Sequence, residues 1–261
     1  MSIKHSLFYG SMFFHQKIAK HFGGELVFTP KGYLENNVVT QPMAYDSVTE
    51  NMYSEYKRQM DYVRYRTIEL LAEELKRNAI PGDIAEAGVD YGDCSWIINA
   101  AFSDRKLYLY DTFSGFDKRD IEIEERNRYT TKDFFESANY FKRTNFATSE
   151  DQMEYVRQRL EYPQNVTFRK GYFPESATLE QENRFAFVSL DMDLYQPILS
   201  GIDFFYPRLN AGGYIMIHDY NHREFQGIKK ALSEAEEKFG TIPKVPLPDQ
   251  GGTIVLTKLR K

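Results

Sequence analysis

The sequence is poor in cysteine: Cys94 is the single cysteine among 261 residues. One thiol excludes any disulfide within the chain, and with it the disulfide framework of small secreted domains. Reducing compartments are where proteins without disulfides are usually found. The cysteine content therefore predicts a cytoplasmic protein.

Long apolar runs are also missing. The first residues, "MSIKHSLFYGSMFF", lack the apolar core of a signal peptide. No segment approaches the roughly 20 apolar residues that a membrane-spanning helix requires. The sequence therefore predicts neither a secretory leader nor a membrane partner.

An excess of basic residues is the third absence. The chain has 33 Lys and Arg against 38 Asp and Glu, and its formal net charge is -5. Nonspecific nucleic-acid binding depends on neutralising phosphates with basic side chains, so nucleic acid is not an expected partner. Small molecules or other proteins are the expected partners instead. The chain is 42% hydrophobic, which suits one domain with a sizeable core.

From residue 79 onward, short apolar segments alternate with helical patterns. The predicted strands are "DIAEAG", "KLYLYDTF", "NVTFRKGYF", "RFAFVSLDMD", "GGYIMIHDY" and "GGTIVLTKL". The predicted helices between them are "CSWIINAAF", "PILSGIDFFYPRL" and "FQGIKKALSEAEEKF". This alternation is typical of crossover units on a mostly parallel sheet, and it predicts the α/β class.

Three segments flank or interrupt this alternation. Residues 1–45 are irregular, and residues 49–77 have the spacing of a helix that covers the sheet or builds a dimer interface. We therefore divide the chain into an N-terminal extension and helix, residues 1–78, and a domain of residues 79–261. Residues of about 117–150 form a long charged insertion, which is either a solvated helical excursion or a lid over the strand ends.

One predicted strand ends in a glutamate and two glycines, because Glu86, Gly88 and Gly92 form an E-x-G-x-x-x-G turn before a helix. Glycine lets the backbone approach a ligand closely, and a helix N-terminus offers free N–H groups to an anionic group. Asp111 ends the next strand about 20 residues later, where an acid binds the hydroxyls of a ribose. Together these residues predict a nucleoside site. A plain tight turn and a helix cap are the alternatives.

Two later strands also end in acids. Asp191 and Asp193 follow "FVSL", and His218 and Asp219 follow "YIMI". Because these strands are consecutive, we expect them to be adjacent, with Asp191 and Asp219 a few ångströms apart. Paired carboxylates suit a hard divalent cation such as Mg²⁺ or Mn²⁺. His218 is then a ligand, a base or a supporting group; the alternative is that each acid merely caps the following helix.

At these residues the sequence resembles the macrocin O-methyltransferase family, whose members use S-adenosylmethionine to methylate sugar hydroxyls. The resemblance begins near residue 61 and is carried by "PGDIAEAGVDYGDCS", "YDTFSGF", "KGYFPES", "LDMDLYQPILSGIDFFYPRLNAGGYIMIHDY" and "GIKKAL". It implies a Rossmann-like class I methyltransferase fold. Such a fold has a mostly parallel seven-stranded sheet with helices on both faces, and here an N-terminal helical extension and a lid insertion.

The resemblance also implies a role for each matching residue. The expected cofactor-binding residues are Glu86, Gly88, Gly92, Ser95, Asp111, Ser114, Gly171 and Phe173. Asp191 and Asp219 match metal-binding positions, and Asp191 is also the expected general base. His218 stands in "HDY" where family members often have "DDY". It is therefore expected to act as a metal ligand or as a second catalytic residue.

The function implied by the resemblance is methyl transfer from S-adenosylmethionine to a sugar hydroxyl, assisted by Mg²⁺ or Mn²⁺. The acceptor is a nucleotide sugar of a surface polysaccharide or a natural-product glycoside, and the enzyme is expected to be a homodimer or higher homo-oligomer. One alternative acceptor is a catechol or other small phenol. An alternative of another functional class is a non-catalytic binding protein of the same fold. An NAD-dependent dehydrogenase or epimerase needs a dinucleotide fingerprint, which the sequence lacks.

Overall fold

A computed structural model describes residues 62–130, 135, 146–178, 183–249 and 251–260. The chain divides into compact units of residues 1–42 and 43–261, and every described residue belongs to the second unit. The irregular N-terminal segment, the start of the predicted 49–77 helix and the middle of the predicted insertion lie outside the described residues.

The described part of the chain is built on one seven-stranded sheet with the order β3-β2-β1-β4-β5-β7-β6. Its strands are β1 Asp83–Ala87, β2 Leu107–Asp111, β3 Val166–Lys170, β4 Phe185–Leu190, β5 Leu209–Ile217, β6 Lys244–Pro246 and β7 Ile254–Thr257. Strands β1 to β5 pair in parallel, whereas β7 is antiparallel to both β5 and β6. The predicted mostly parallel seven-stranded sheet is confirmed.

Helices cover both faces of this sheet. They are α1 Tyr62–Arg77, α2 Asp93–Ala101, α3 Lys118–Asn127, α4 Ser149–Arg159, α5 Tyr195–Arg208 and α6 Gly227–Phe239. Helices α1, α2 and α4 contribute to one buried cluster, and α5 and α6 contribute to the other. Within β1, Ile84 packs into the first cluster and Ala85 into the second, as expected for a strand that is buried on both sides.

Among the described elements, helix α4 and strand β6 were not predicted from the sequence. Helix α4 begins with a capping box, in which Thr148 and Asp151 bond each other's backbone N–H groups. That signal is readable in the sequence. Strand β6 has only three residues and ends in Pro246, so neither its length nor its composition identifies a strand. No helix in the described ranges combines the length and apolarity needed to cross a membrane.

Candidate active site

Backbone hydrogen bonds align the carboxyl ends of β1, β4 and β5 at the same edge of the sheet. Asp191 N–H donates to the Ala87 carbonyl at 2.8 Å, and His218 N–H donates to the Leu190 carbonyl at 2.9 Å. In the same way, Gly88 N–H donates to the Tyr110 carbonyl at 2.9 Å. The residues that follow these three strands are therefore brought to one edge of the sheet, as predicted.

The first glycine of the turn is required by the neighbouring strand. Gly88 has φ +88, and a Cβ at this position would overlap the carbonyl oxygen of Asp191 and lie 2.5 Å from its carbonyl carbon. Gly92 has φ +76 and would place a Cβ 2.8 Å from Val156 Cγ1 on α4. Both glycines therefore allow close packing within the fold.

We expect Gly88→Ala to lower the free energy of unfolding by about 2 kcal/mol or more, since it adds a backbone collision to an unfavourable φ. Chemical denaturation measures this loss. Gly240→Ala is the matched control, because Gly240 has φ +81 but no atom of the described residues lies within 4 Å of an added Cβ. Equal losses in the two variants would show that the contact with Asp191 is unimportant.

Asp111 holds the glycine turn against β2. Its Oδ2 accepts the N–H groups of Val89 at 2.6 Å and Asp90 at 3.1 Å, while its Oδ1 accepts that of Phe113 at 2.6 Å. The carboxylate thus faces the turn, and its predicted contact with a ribose stays a prediction. Ser114 is exposed, and its N–H donates to Thr112 Oγ1 at 3.2 Å.

Glu86 is completely buried and accepts a hydrogen bond from the Ser95 hydroxyl. Its second carboxylate oxygen, Oε1, is buried and has no hydrogen-bond partner among the described residues. Burial raises the pKa of Glu86 to about 8, so a cationic group placed beside it would favour the ionised form. The hydrogen bond from Ser95 helps to fix the Glu86 side chain.

Asp191, His218 and Asp219 form a cluster whose potential metal-ligand atoms lie within 4.8 Å of one another. His218 Nδ1 lies 3.0 Å from Asp191 Oδ1 and 3.3 Å from Asp219 Oδ2. Neither contact meets the geometry of a hydrogen bond, so within the described part of the chain this buried nitrogen has no hydrogen-bond partner. Two carboxylates and an imidazole could hold a divalent cation: the carboxylates suit Mg²⁺ and Mn²⁺, and the imidazole favours Mn²⁺ of the two.

Sequence reasoning missed Arg64, which reaches this cluster from α1. Its Nη2 donates to Asp191 Oδ2 at 2.9 Å, and the side chains of the two residues are 7% and 23% exposed. Burial opposes ionisation of Asp191, but the positive charges of Arg64 and His218 outweigh it and hold its pKa well below the ordinary value. Burial also lowers the pKa of His218, yet the Asp191 carboxylate raises it to about 10.

Asp193 and Gly251 complete the surroundings of the cluster. Burial and the carboxylates of Asp191 and Asp219 raise the pKa of Asp193 well above its ordinary value. A Cβ at Gly251 would lie 2.5 Å from Asp219 Oδ1 and would also meet the ring of His218. Gly251, which begins the predicted last strand, therefore has no side chain that would collide with the cluster.

Two cavities adjoin at this edge of the sheet, with volumes of about 130 Å³ and 250 Å³. They share Gly88, Asp90, Asp191 and Asp193. We call the larger one the acid cavity; its walls also include Arg64, Tyr65, Glu86, His218 and Asp219. We call the smaller one the aromatic cavity; its walls also include Tyr110, Asp111, Phe116, Asp120, Gly171, Tyr172 and Phe173.

Most of the predicted site residues line one of these cavities, but Gly92, Ser95 and Ser114 line neither. Asp120 was not predicted. Its Oδ1 accepts the Tyr172 hydroxyl at 2.8 Å, and burial raises its pKa to about 6. No sequence pattern identifies Asp120, because its partner Tyr172 lies 52 residues away along the chain.

The family model described as macrocin O-methyltransferase (TylF) matches residues 51–244. The tetracenomycin 4'-O-methyltransferase of Streptomyces olivaceus, which acts on a dimethoxyrhamnosyl compound, is 23% identical over 197 residues. That match covers 66% of this chain and 70% of the relative. The mycinamicin III 3''-O-methyltransferase of Micromonospora griseorubida is 25% identical over 195 residues, which cover 72% of this chain and 74% of the relative.

Solved structures share the fold. The O-methyltransferase NovP superposes with a TM-score of 0.58 at 21% identity, over 76% of this chain and 81% of NovP. The calicheamicin methyltransferase CalS11 superposes with a TM-score of 0.57 at 16% identity, over 89% of this chain and 94% of CalS11. The predicted class I methyltransferase fold is confirmed. With the family match across most of its length, the chain belongs to the macrocin O-methyltransferase (TylF) family and is an S-adenosylmethionine-dependent O-methyltransferase.

Proposed function

We propose that this enzyme methylates a hydroxyl of a sugar, on a natural-product glycoside or a nucleotide sugar, with the help of a divalent cation. The observation that carries the proposal is the position of Asp191, which lines both cavities and belongs to the cluster with His218 and Asp219. A donor nucleoside in one cavity and an acceptor in the other would meet there. The names of the relatives, which act on glycosylated natural products, support the choice of a sugar.

The aromatic cavity has the chemistry to hold the adenosyl part of the donor. Asp111 offers carboxylate oxygens for the ribose hydroxyls, although it must share them with the N–H groups of the turn. Phe116 and Tyr172 provide apolar walls. On the other side of the turn, Glu86 lines the acid cavity. Its Oε1, which has no hydrogen-bond partner among the described residues, could pair with the ammonium group of the donor.

Transfer requires that the acceptor hydroxyl lose its proton and lie in line with the methyl group. When bound, S-adenosylmethionine supplies a methyl group on a cationic sulfur; the S–C bond breaks as the O–C bond forms, and the sulfur becomes neutral. A divalent cation held by Asp191, His218 and Asp219 would lower the pKa of a hydroxyl bound to it. The protein then has to orient the two reactants, exclude water and accept one proton.

The structure offers several groups as that proton acceptor. Asp191, the base implied by the resemblance, is a weak base while Arg64 and His218 face its two oxygens. His218 accepts a proton only when it is neutral, as it must be when it binds a metal. Asp193 lines both cavities and has a raised pKa, so we include it as a third candidate. An efficient base has a pKa near the working pH.

The proposal predicts a metal-dependent transfer to sugars. Treatment with EDTA should lower the transfer of a labelled methyl group by at least about a hundredfold, and added Mn²⁺ or Mg²⁺ should restore it. Glycosides, nucleotide sugars and catechols are the acceptors to compare, with S-adenosylhomocysteine binding as the control for an intact cofactor site. Transfer that resists chelation would exclude the metal, and preference for catechols would identify a phenol methyltransferase.

Location and assembly stay predictions from the sequence. We propose a cytoplasmic enzyme, because Cys94 is a single, buried, free thiol. We also propose a homodimer or higher homo-oligomer, and light scattering of the full chain tests it. Part of the predicted lid is helical: α3 and the start of α4 lie within residues 117–150, and we propose that this insertion covers the aromatic cavity, to which it contributes Asp120.

A further inference from the structure

Arg64 is a buried cation on a helix that none of the sequence motifs includes. It is 6% exposed, and 127 residues separate it from Asp191, whose Oδ2 it contacts at 2.9 Å. It also lines the acid cavity, together with the carboxylate cluster. A buried guanidinium is costly unless it is paired, so this contact ties α1 to the end of β4.

The two oxygens of Asp191 have different neighbours. Arg64 holds Oδ2, whereas Oδ1 lies 3.0 Å from His218 Nδ1, the same nitrogen that is 3.3 Å from Asp219 Oδ2. Oδ1 is therefore the oxygen that faces the other possible ligands. A carboxylate whose second oxygen accepts a hydrogen bond from a guanidinium is biased toward binding a cation through its first oxygen.

We propose that Arg64 is a positioning residue that makes Asp191 a one-oxygen ligand and limits the affinity of the cluster for its divalent cation. This inference rests on the proposed metal-assisted function. Arg64 keeps the Asp191 carboxylate in one orientation, and its fixed charge repels a cation bound beside it. When the His218 imidazole is neutral, the carboxylates of Asp191 and Asp219 and the guanidinium of Arg64 together carry a single net negative charge.

Removing the guanidinium charge therefore has opposite effects on binding and on transfer. The divalent cation should bind more tightly, because a repelling charge is lost and both oxygens of Asp191 become accessible. Methyl transfer should fall, because the orientation of Asp191 is no longer fixed. If Arg64 merely stabilised the fold, its removal would weaken both properties.

The experiment is a Mn²⁺ titration of the full chain, in which electron paramagnetic resonance measures the free ion. We expect Arg64→Gln to bind Mn²⁺ at least about tenfold more tightly than the unmodified chain, and to transfer methyl groups at least about tenfold more slowly. Arg77→Gln is the matched control on the same helix, because Arg77 is exposed and pairs with Glu74 one turn away. It should change neither property by more than about twofold.

A second variant keeps the test decisive if Arg64→Gln does not fold. Arg64→Lys retains the charge, so its Mn²⁺ affinity should stay within about threefold of the unmodified value, while transfer falls because the planar fork is lost. Unchanged or weaker Mn²⁺ binding by a folded Arg64→Gln, or tighter binding by Arg64→Lys, overturns the inference alone. No Mn²⁺ binding by the unmodified chain overturns it together with the metal part of the proposed function.

Discussion

Asp191→Asn is expected to abolish methyl transfer, with a loss of at least about a thousandfold. The substitution keeps the size of the side chain but removes the charge that faces His218 at 3.0 Å and Arg64 at 2.9 Å. It therefore removes a metal ligand, a candidate base and the counter-ion of a buried guanidinium. The measurement is turnover of labelled S-adenosylmethionine with saturating acceptor and Mn²⁺.

Binding of S-adenosylhomocysteine to Asp191→Asn should stay within a few-fold of the unmodified value, because Asp111 and Glu86 are unchanged. Calorimetry of that ligand reports whether the variant has kept its cofactor site. Asp203→Asn is the control, since Asp203 is an acid on α5 paired with the exposed Lys238 at 2.9 Å and should retain full activity. Turnover by Asp191→Asn close to that of this control would refute the assigned role.

Asp193→Asn should separate proton transfer from metal binding. We expect transfer to fall by at least about a hundredfold, while Mn²⁺ affinity changes by only a few-fold, because Asp193 is not part of the cluster of Asp191, His218 and Asp219. Loss of Mn²⁺ binding would make Asp193 a ligand. Retained transfer would return the role of base to Asp191 or His218.

The same variant should be more stable than the unmodified chain at high pH. Burial and two neighbouring carboxylates raise the pKa of Asp193 in the folded protein, so its stability is greatest when the group is protonated and decreases as the pH rises. Because asparagine does not ionise, the variant does not lose this stability as the pH rises. Thermal unfolding at pH 6 and pH 9 measures the difference, which should grow with pH; an equal difference at both values would contradict this reading.

The fold could be predicted in large part because its strands are short apolar runs bounded by turn residues. The segment "FAFVSL" is fully buried as β4, and the last three residues of "YIMI" are buried in β5. Helix α4 was missed although its capping box, Thr148 with Asp151, was readable. Strand β6 was missed because three exposed residues have no apolar pattern. Local signals thus identify elements that have their own periodicity.

The individual site residues divide in the same way. The positions of Asp111, Asp191 and Asp219 followed from the ends of strands. By contrast, the Ser95 hydroxyl donates a hydrogen bond to the Glu86 carboxylate, and Ser114, which follows Asp111 in the chain, is exposed. A matching motif gives the position of a side chain along the chain, but not the direction in which it points. The expected role of these two serines as cofactor-binding residues stays a prediction from the resemblance.

The sequence by itself determined the class of fold and the edge of the sheet where the acids collect, since parallel strands that end in acids bring those acids together. Only the tertiary structure decided what surrounds them: Arg64 from α1 on Asp191, and Tyr172 on Asp120. Such pairs form between residues far apart in the chain, and no local pattern encodes them. Their existence depends on how helices pack over the sheet, and it decides the charge of the site.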